Sequence, residues 1–148
     1  MKFGVCAIIK NENLYLREWV EHYINLGFDK IILYDNNEPN GEYPGLVIQD
    51  YIDNGYVDVI NYRYILGYTN NFSFSLSPQI SAYNDCLEKY KNDLDWIAFF
   101  DVDEFLELIK VKNIHQQFED VDYSKFNCVV LFWRFYGSPD TIYYDNKK

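Results

Sequence analysis

Positive charge is scarce in this sequence: 13 Lys and Arg stand against 23 Asp and Glu, a formal net charge of −10. Proteins that grip nucleic-acid backbones do so with stripes of Lys and Arg, so nucleic acid is excluded as a general partner. The same shortage bears on small anions, because a phosphate ester is repelled unless a metal ion or a local cluster of cations reverses the sign. Cysteine is also sparse. Cys6, Cys86 and Cys128 are odd in number, widely spaced and set in apolar stretches. That argues against a disulfide framework or a zinc site, and for reduced, buried thiols in a cytoplasmic protein. His22 and His115 stand apart from other ligand types, so neither reads as a metal or acid–base group. Long hydrophobic runs are missing too. The run Gly4–Ile9 is too short for the core of a signal peptide, and no segment approaches the roughly 20 apolar residues that span a bilayer.

Against these gaps stands an abundance of apolar and aromatic side chains, 49% and 20% of the 148 residues, with 15 Tyr and 11 Phe. Disorder is excluded by such a composition, and most of these rings are expected to line a core or a pocket. A chain of this length hides roughly two-thirds of its unfolded surface in a single domain. No repeat, linker or low-complexity tract divides residues 1–148.

The order of local signals is regular. "KFGVCAIIK" reads as a buried strand, and Asn13 in the following "NEN" as a helix cap. Leu16, Trp19, Val20, Tyr23 and Leu26 recur at helical spacing, with Gly27 placed to end the helix. "KIILYD" is a second strand and "NNEPNGEYPG" is turn chemistry. "LVIQDYIDNG" is a short helix closed by Gly55, and "YVDVINYRY" a third strand with Val57, Val59 and Tyr62 inward. Residues 65–77, rich in Ser, Asn and aromatics, are longer than an ordinary connection and suit a binding loop. Ser77 and Pro78 open a helix whose apolar positions are Ile80, Tyr83, Leu87 and Tyr90. "DWIAFFD" is a fourth strand, "IHQQFEDV" a weak helix and "FNCVVLFWRFYG" a strong strand.

Alternating strands and helices predict an α/β fold: a Rossmann-like, mostly parallel sheet covered by helices on both faces. In such a sheet ligands bind along the edge where the strands' carboxyl ends lie. "KNEN", "DNN" and "DVDE" all fall there. The last is the strongest signal, because Asp101, Asp103 and Glu104 crowd together directly after a wholly apolar segment. Carboxylates so close repel one another and are costly to bury unpaired. If the strand carries through, Asp101 and Asp103 project from one side while Val102 points into packing. Two such oxygen ligands suit Mg²⁺ or Mn²⁺, which takes carboxylates, waters and substrate phosphate together. The alternative is an ordinary solvated turn in which the acids only terminate a strand.

"VCAIIKNENLYLREWVEHYINLGFDKIILYDNN", followed by "QISAYNDCLEKYKNDLDWIAFFDVDEFL", resembles the glycosyltransferases of the family 2-like and family 92 type, which have the GT-A nucleotide-sugar-binding fold. The resemblance runs from about residue 3 to residue 137 and rests on three ordered blocks. It implies a metal-dependent hexosyltransferase-like enzyme that takes a nucleotide-sugar donor, a UDP-sugar first among them, and transfers to a glycan, lipid or protein acceptor with inversion. Asp103 then resembles the direct metal ligand, with Asp101 supporting the metal or the sugar and ribose. Asp35 resembles the nucleoside contact. The main chain near Ile8 and Ile9 and the side chains of Asn11 and Glu12 flank the base. Asn84 is similar to a family position beside the donor. Lys10 and Arg134 are diphosphate neighbours on charge alone. Each has a plainer alternative: Asp35 as a turn former, Glu12 as a first-turn acid favoured by the helix dipole, Asn84 and Lys10 as solvated surface, and Trp19, Val20 and Tyr23 as core only.

Inverting transfer needs a carboxylate base for the acceptor hydroxyl, and Asp140 is the candidate that follows the last apolar run. Family members usually continue further for acceptor recognition, so the chain reads as a C-terminally truncated donor half. Two other classes fit the acidic cluster. A haloacid dehalogenase-type phosphohydrolase would use the first Asp as nucleophile, although that motif normally follows the first strand. A non-catalytic module would bind the nucleotide sugar without turnover.

Overall fold

The computed structural model describes residues 1–63 and 77–134. Four strands, β1 (Phe3–Ile9), β2 (Lys30–Asp35), β3 (Val57–Asn61) and β4 (Trp96–Phe99), form one sheet in the order β3-β2-β1-β4. All three strand pairs are parallel, with Ile9 opposite Asp35, Asp35 opposite Asn61 and Cys6 opposite Phe99. The helices are α1 (Asn13–Asn25), α2 (Gly45–Asp53), α3 (Pro78–Tyr90) and α4 (Ile114–Asp120). The expected doubly covered α/β sheet is therefore present. Among the described residues no helix is long and apolar enough to cross a membrane.

Alternation along the strands sorts the side chains between two cores, as a sheet buried on both faces requires. Val5, Ala7, Ile9, Ile31, Leu33 and Val57 face the larger one, with Leu16, Trp19, Val20 and Tyr23 of α1, Ile48 of α2 and Ile114 of α4. Cys6, Ile32 and Tyr34 face the smaller one, with Ala82 and Cys86 of α3. Helix α1 ends where expected. Gly27 takes φ 86, its N–H bonds to Ile24 O, and Phe28 N–H bonds to Tyr23 O, the paired closure that a left-handed glycine allows. Gly55 (φ 76) repeats the device after α2, and Ser77 Oγ accepts the Ile80 N–H at the start of α3.

Four expectations about packing are corrected. Asn13 is not the cap of α1: Glu12 holds that position without a side-chain bond, and Glu42 Oε2 accepts the Asn13 N–H at 2.9 Å. The buried face of α3 is Ala82 and Cys86, with Tyr83 and Tyr90 half-buried, while Ile80 and Leu87 remain exposed. Small side chains let α3 approach the sheet closely, and Cys6 and Cys86 are buried in the same cluster. The neighbouring Cys86 thiol, with burial, pushes the Cys6 thiol far above its usual range. Cys128, in contrast, is exposed.

The expected strand from residue 126 is the largest difference. Residues 126–134 carry no strand, and Phe132 is 97% exposed. β-Branched and aromatic composition favours a strand only where a neighbouring edge and a packed face receive it. The rest of that run, Asp140, and residues 65–76 of the expected binding loop lie outside the described residues.

Candidate active site

The strand order fixes where a ligand can enter. From β1 the chain steps outward to β2 and β3, then returns to place β4 on the other side of β1. A crevice opens beyond the carboxyl ends of the strands where the direction reverses. A cavity of about 450 Å³ lies there. The end of β1 (Ile8, Ile9) and the turns after β1 and β2 (Lys10, Glu12, Asn36) line part of it. The first residues of α3 (Ser77, Pro78, Gln79) and the acidic turn (Asp101, Val102, Asp103) line the rest.

The acids do not continue a strand as expected. β4 ends at Phe99, and Asp101–Glu104 form a turn closed by Glu104 N–H to Asp101 O (3.0 Å) and Asp101 N–H to Glu104 Oε2 (2.8 Å). Val102 is buried, as the alternation predicted, and Asp101 and Asp103 are exposed at the cavity. Glu104 is thus engaged within the turn. The Gln79 amide donates to Asp101 Oδ1 at 3.0 Å and to the Tyr83 hydroxyl at 3.1 Å, so the start of α3 orients the first aspartate.

The opposite side of the cavity is tied together by polar side chains. Asn11 adopts φ 61, a left-handed conformation that Asn tolerates better than most residues. Its N–H donates to Asn37 Oδ1 at 2.8 Å, and Asn37 Nδ2 donates to Asp35 Oδ1 at 2.7 Å. The other Asp35 oxygen accepts from Arg63 Nη2 (2.7 Å) and Nε (2.9 Å). Arg63 also donates to the Glu38 and Glu42 carbonyls and lies over the Tyr43 ring, 4.4 Å from its centroid. Asp35 and Arg63 are each 7% exposed at the side chain, a buried and hydrogen-bonded pair.

Of the predicted site residues, Ile8, Ile9, Lys10, Glu12, Asp101 and Asp103 converge on the cavity. Asn11 and Asp35 shape the turns beside it without lining it. Asn84 is exposed on α3 and does not line it. Arg134 Nη1 lies 3.9 Å from Glu107 Oε2, also outside the lining. Gln79, Asn37 and Arg63 were not expected. Gln79 was legible only as a polar first-turn residue after Ser77 and Pro78, and Arg63 as a lone cation at the end of a strand.

Charge is unbalanced in the cavity. Lys10 meets three carboxylates there, and its Nζ already pairs with Glu38 Oε1 at 2.8 Å, which lowers the Glu38 carboxyl below its ordinary range. Burial, then the neighbouring charges of Asp103, Glu42 and Asp101, raise the Glu12 carboxyl above its ordinary value. Among the described residues no three His, Cys, Asp or Glu side chains are grouped as a metal cage. Asp101 and Asp103 are the residues there that could hold a hard cation, of the kind that keeps most of its waters and takes further oxygens from a phosphate.

Comparison with known proteins gives a consistent result. A glycosyltransferase family 92 protein of Arabidopsis thaliana is 29% identical over 107 residues, 68% of this chain and 16% of its own length. A family 92 protein of Ricinus communis is 24% identical over 131 residues, 86% of this chain and 21% of its own. A protein named galactan beta-1,4-galactosyltransferase, also from Arabidopsis thaliana, is 29% identical over 117 residues, 75% of this chain and 22% of its own. This chain therefore spans about a fifth or less of the length of the first of these relatives. No solved structure matches it. The family description matched across residues 2–145, on a parallel sheet whose acidic turn opens at the switch point, is glycosyltransferase family 92, and the chain belongs to that family.

Proposed function

We propose that this domain binds a nucleoside-diphosphate sugar, a UDP-sugar in the first instance, together with Mn²⁺ or Mg²⁺, and transfers the sugar with inversion to a hydroxyl of a glycan, lipid or protein acceptor. The supporting observation is the convergence of Asp101 and Asp103 with the turns after β1 and β2 in one cavity. The relative named as a galactosyltransferase favours a hexosyl donor.

Asp103 would be the direct ligand of the cation, and Asp101, oriented by Gln79, would support it. The bound cation supplies Lewis-acid stabilisation of the leaving diphosphate, worth several kcal/mol. Lys10 lies at the same opening and adds positive charge if its pair with Glu38 is exchanged for phosphate. The start of α3 also lines the cavity, and the positive end of a helix dipole favours an anion. Asn11, Asn37, Asp35 and Arg63 would shape the nucleoside side. Asp140 is the proposed base. The phosphohydrolase reading is not favoured, because the acidic turn follows β4 and not β1.

Calorimetric titration with UDP tests this reading. Binding is expected with Mn²⁺ and not in chelator, and Asp103→Ala is expected to abolish it while the melting temperature stays within a few degrees. Equal affinity in chelator refutes the metal role. Metal-dependent binding of nucleotide sugars without transfer or hydrolysis would favour the non-catalytic module.

A further inference from the structure

The acidic turn has little structure of its own. Residues 100–108 contain neither helix nor strand, so their backbone groups need partners from elsewhere. Helix α1 supplies several. Trp19 Nε1 donates to both Asp101 O (3.0 Å) and Glu104 O (2.9 Å). The Tyr23 hydroxyl donates to Glu104 O (3.0 Å) and accepts the Leu106 N–H (3.1 Å). His22 Nε2 lies 2.9 Å from Leu106 O, and since a carbonyl only accepts, Nε2 is the protonated nitrogen.

We propose that Trp19, His22 and Tyr23 are positioning residues that hold the Asp101–Leu106 segment, and hence the two cation-binding carboxylates, in place before any ligand arrives. The proposal rests on the metal-dependent reading above. Trp19 and Tyr23 are wholly buried, and phenylalanine would fill most of the same apolar space. What phenylalanine lacks is the N–H and O–H that reach the turn. The main chain of Asp101 is held on both sides, its carbonyl by Trp19 and its N–H by Glu104, while its carboxylate is held by Gln79. A carboxylate whose backbone and side chain are both fixed meets a cation without reorganising, and loss of such supporting bonds typically weakens metal binding about 10–100-fold.

The test compares Trp19→Phe, Tyr23→Phe and Val20→Ala. Val20 is equally buried on α1 and has no polar group to offer the turn. Mn²⁺ affinity is measured at saturating UDP, alongside the melting temperature. Trp19→Phe and Tyr23→Phe are expected to weaken Mn²⁺ binding about tenfold or more, with Val20→Ala within twofold of wild type despite a comparable fall in melting temperature. Wild-type Mn²⁺ affinity in both Phe variants overturns the proposal, as does an equal loss in Val20→Ala. Should Trp19→Phe fail to fold, Tyr23→Phe decides alone. If the wild-type protein itself takes no Mn²⁺ with UDP, the functional reading has failed, and the positioning role falls with it.

Discussion

Residues 36–43 and residues 126–134 both lack helix and strand, yet their composition and surroundings are opposite. The first segment is polar, and named bonds tie it down: Asn37 to Asp35 and Asn11, Glu38 to Lys10, and the Glu38 and Glu42 carbonyls to Arg63. The second, "FNCVVLFWR", is among the most apolar stretches of the chain and lies largely exposed, Val130, Phe132 and Trp133 above all. Apolar character is a demand for a partner surface, whereas a satisfied polar network is an arrangement already made. The irregular segment that borders the cavity is of the second kind, which suits a wall that must keep its shape.

That contrast is broken most severely at Arg63. Arg63→Met leaves the Asp35 carboxylate buried without its counter-charge, and removing one partner of such a pair costs about 3–5 kcal/mol. Urea denaturation should show that loss, and proteolysis should then enter between residues 36 and 43. A smaller effect sharpens the picture on the cavity side. Because Glu12 has a raised pKa in the fold, the folded chain binds that proton more tightly than the unfolded chain. Its contribution is therefore present below the ordinary value of 4.5 and lost as pH rises through the raised one. Glu12→Gln should thus be slightly more stable than wild type at pH 7 in urea denaturation, with no such advantage at pH 4. The smallest effect is expected in the exposed stretch. Phe132→Ser should leave the urea midpoint within the equivalent of about 0.5 kcal/mol, because nothing buried is lost there.

Local signals were legible, and partnerships across the chain were not. Gly27 and Gly55 announced helix ends because only a residue without Cβ enters their positive φ easily. Ser77 and Pro78 announced the start of α3 by the same local logic. The acidic turn was visible because carboxylates after an apolar strand are unusual company, although its own geometry is a turn and not a strand end. The partner of Asn13, however, is Glu42, 29 positions away, and that of Asp35 is Arg63, 28 away. Nothing in either neighbourhood pointed to the other. On α3, hydropathy favoured Ile80 and Leu87, but the sheet admitted Ala82 and Cys86, since close approach selects for size. For Trp19 and Tyr23, spacing showed that they are buried and could not show what their polar tips touch.

The central place of β1 also sets an order of events during synthesis. Its pairing with β2 needs only the first 35 residues, whereas the Lys2 N–H meets the Asp95 carboxylate across 93 positions, and β4 ends at Phe99. One edge of the nascent sheet therefore stays open, apolar and sticky while the ribosome adds the intervening chain. Late closure by so distant a strand slows folding, as non-local contacts generally do. It also makes β4 and the turn that follows it the last part of the cavity to be assembled.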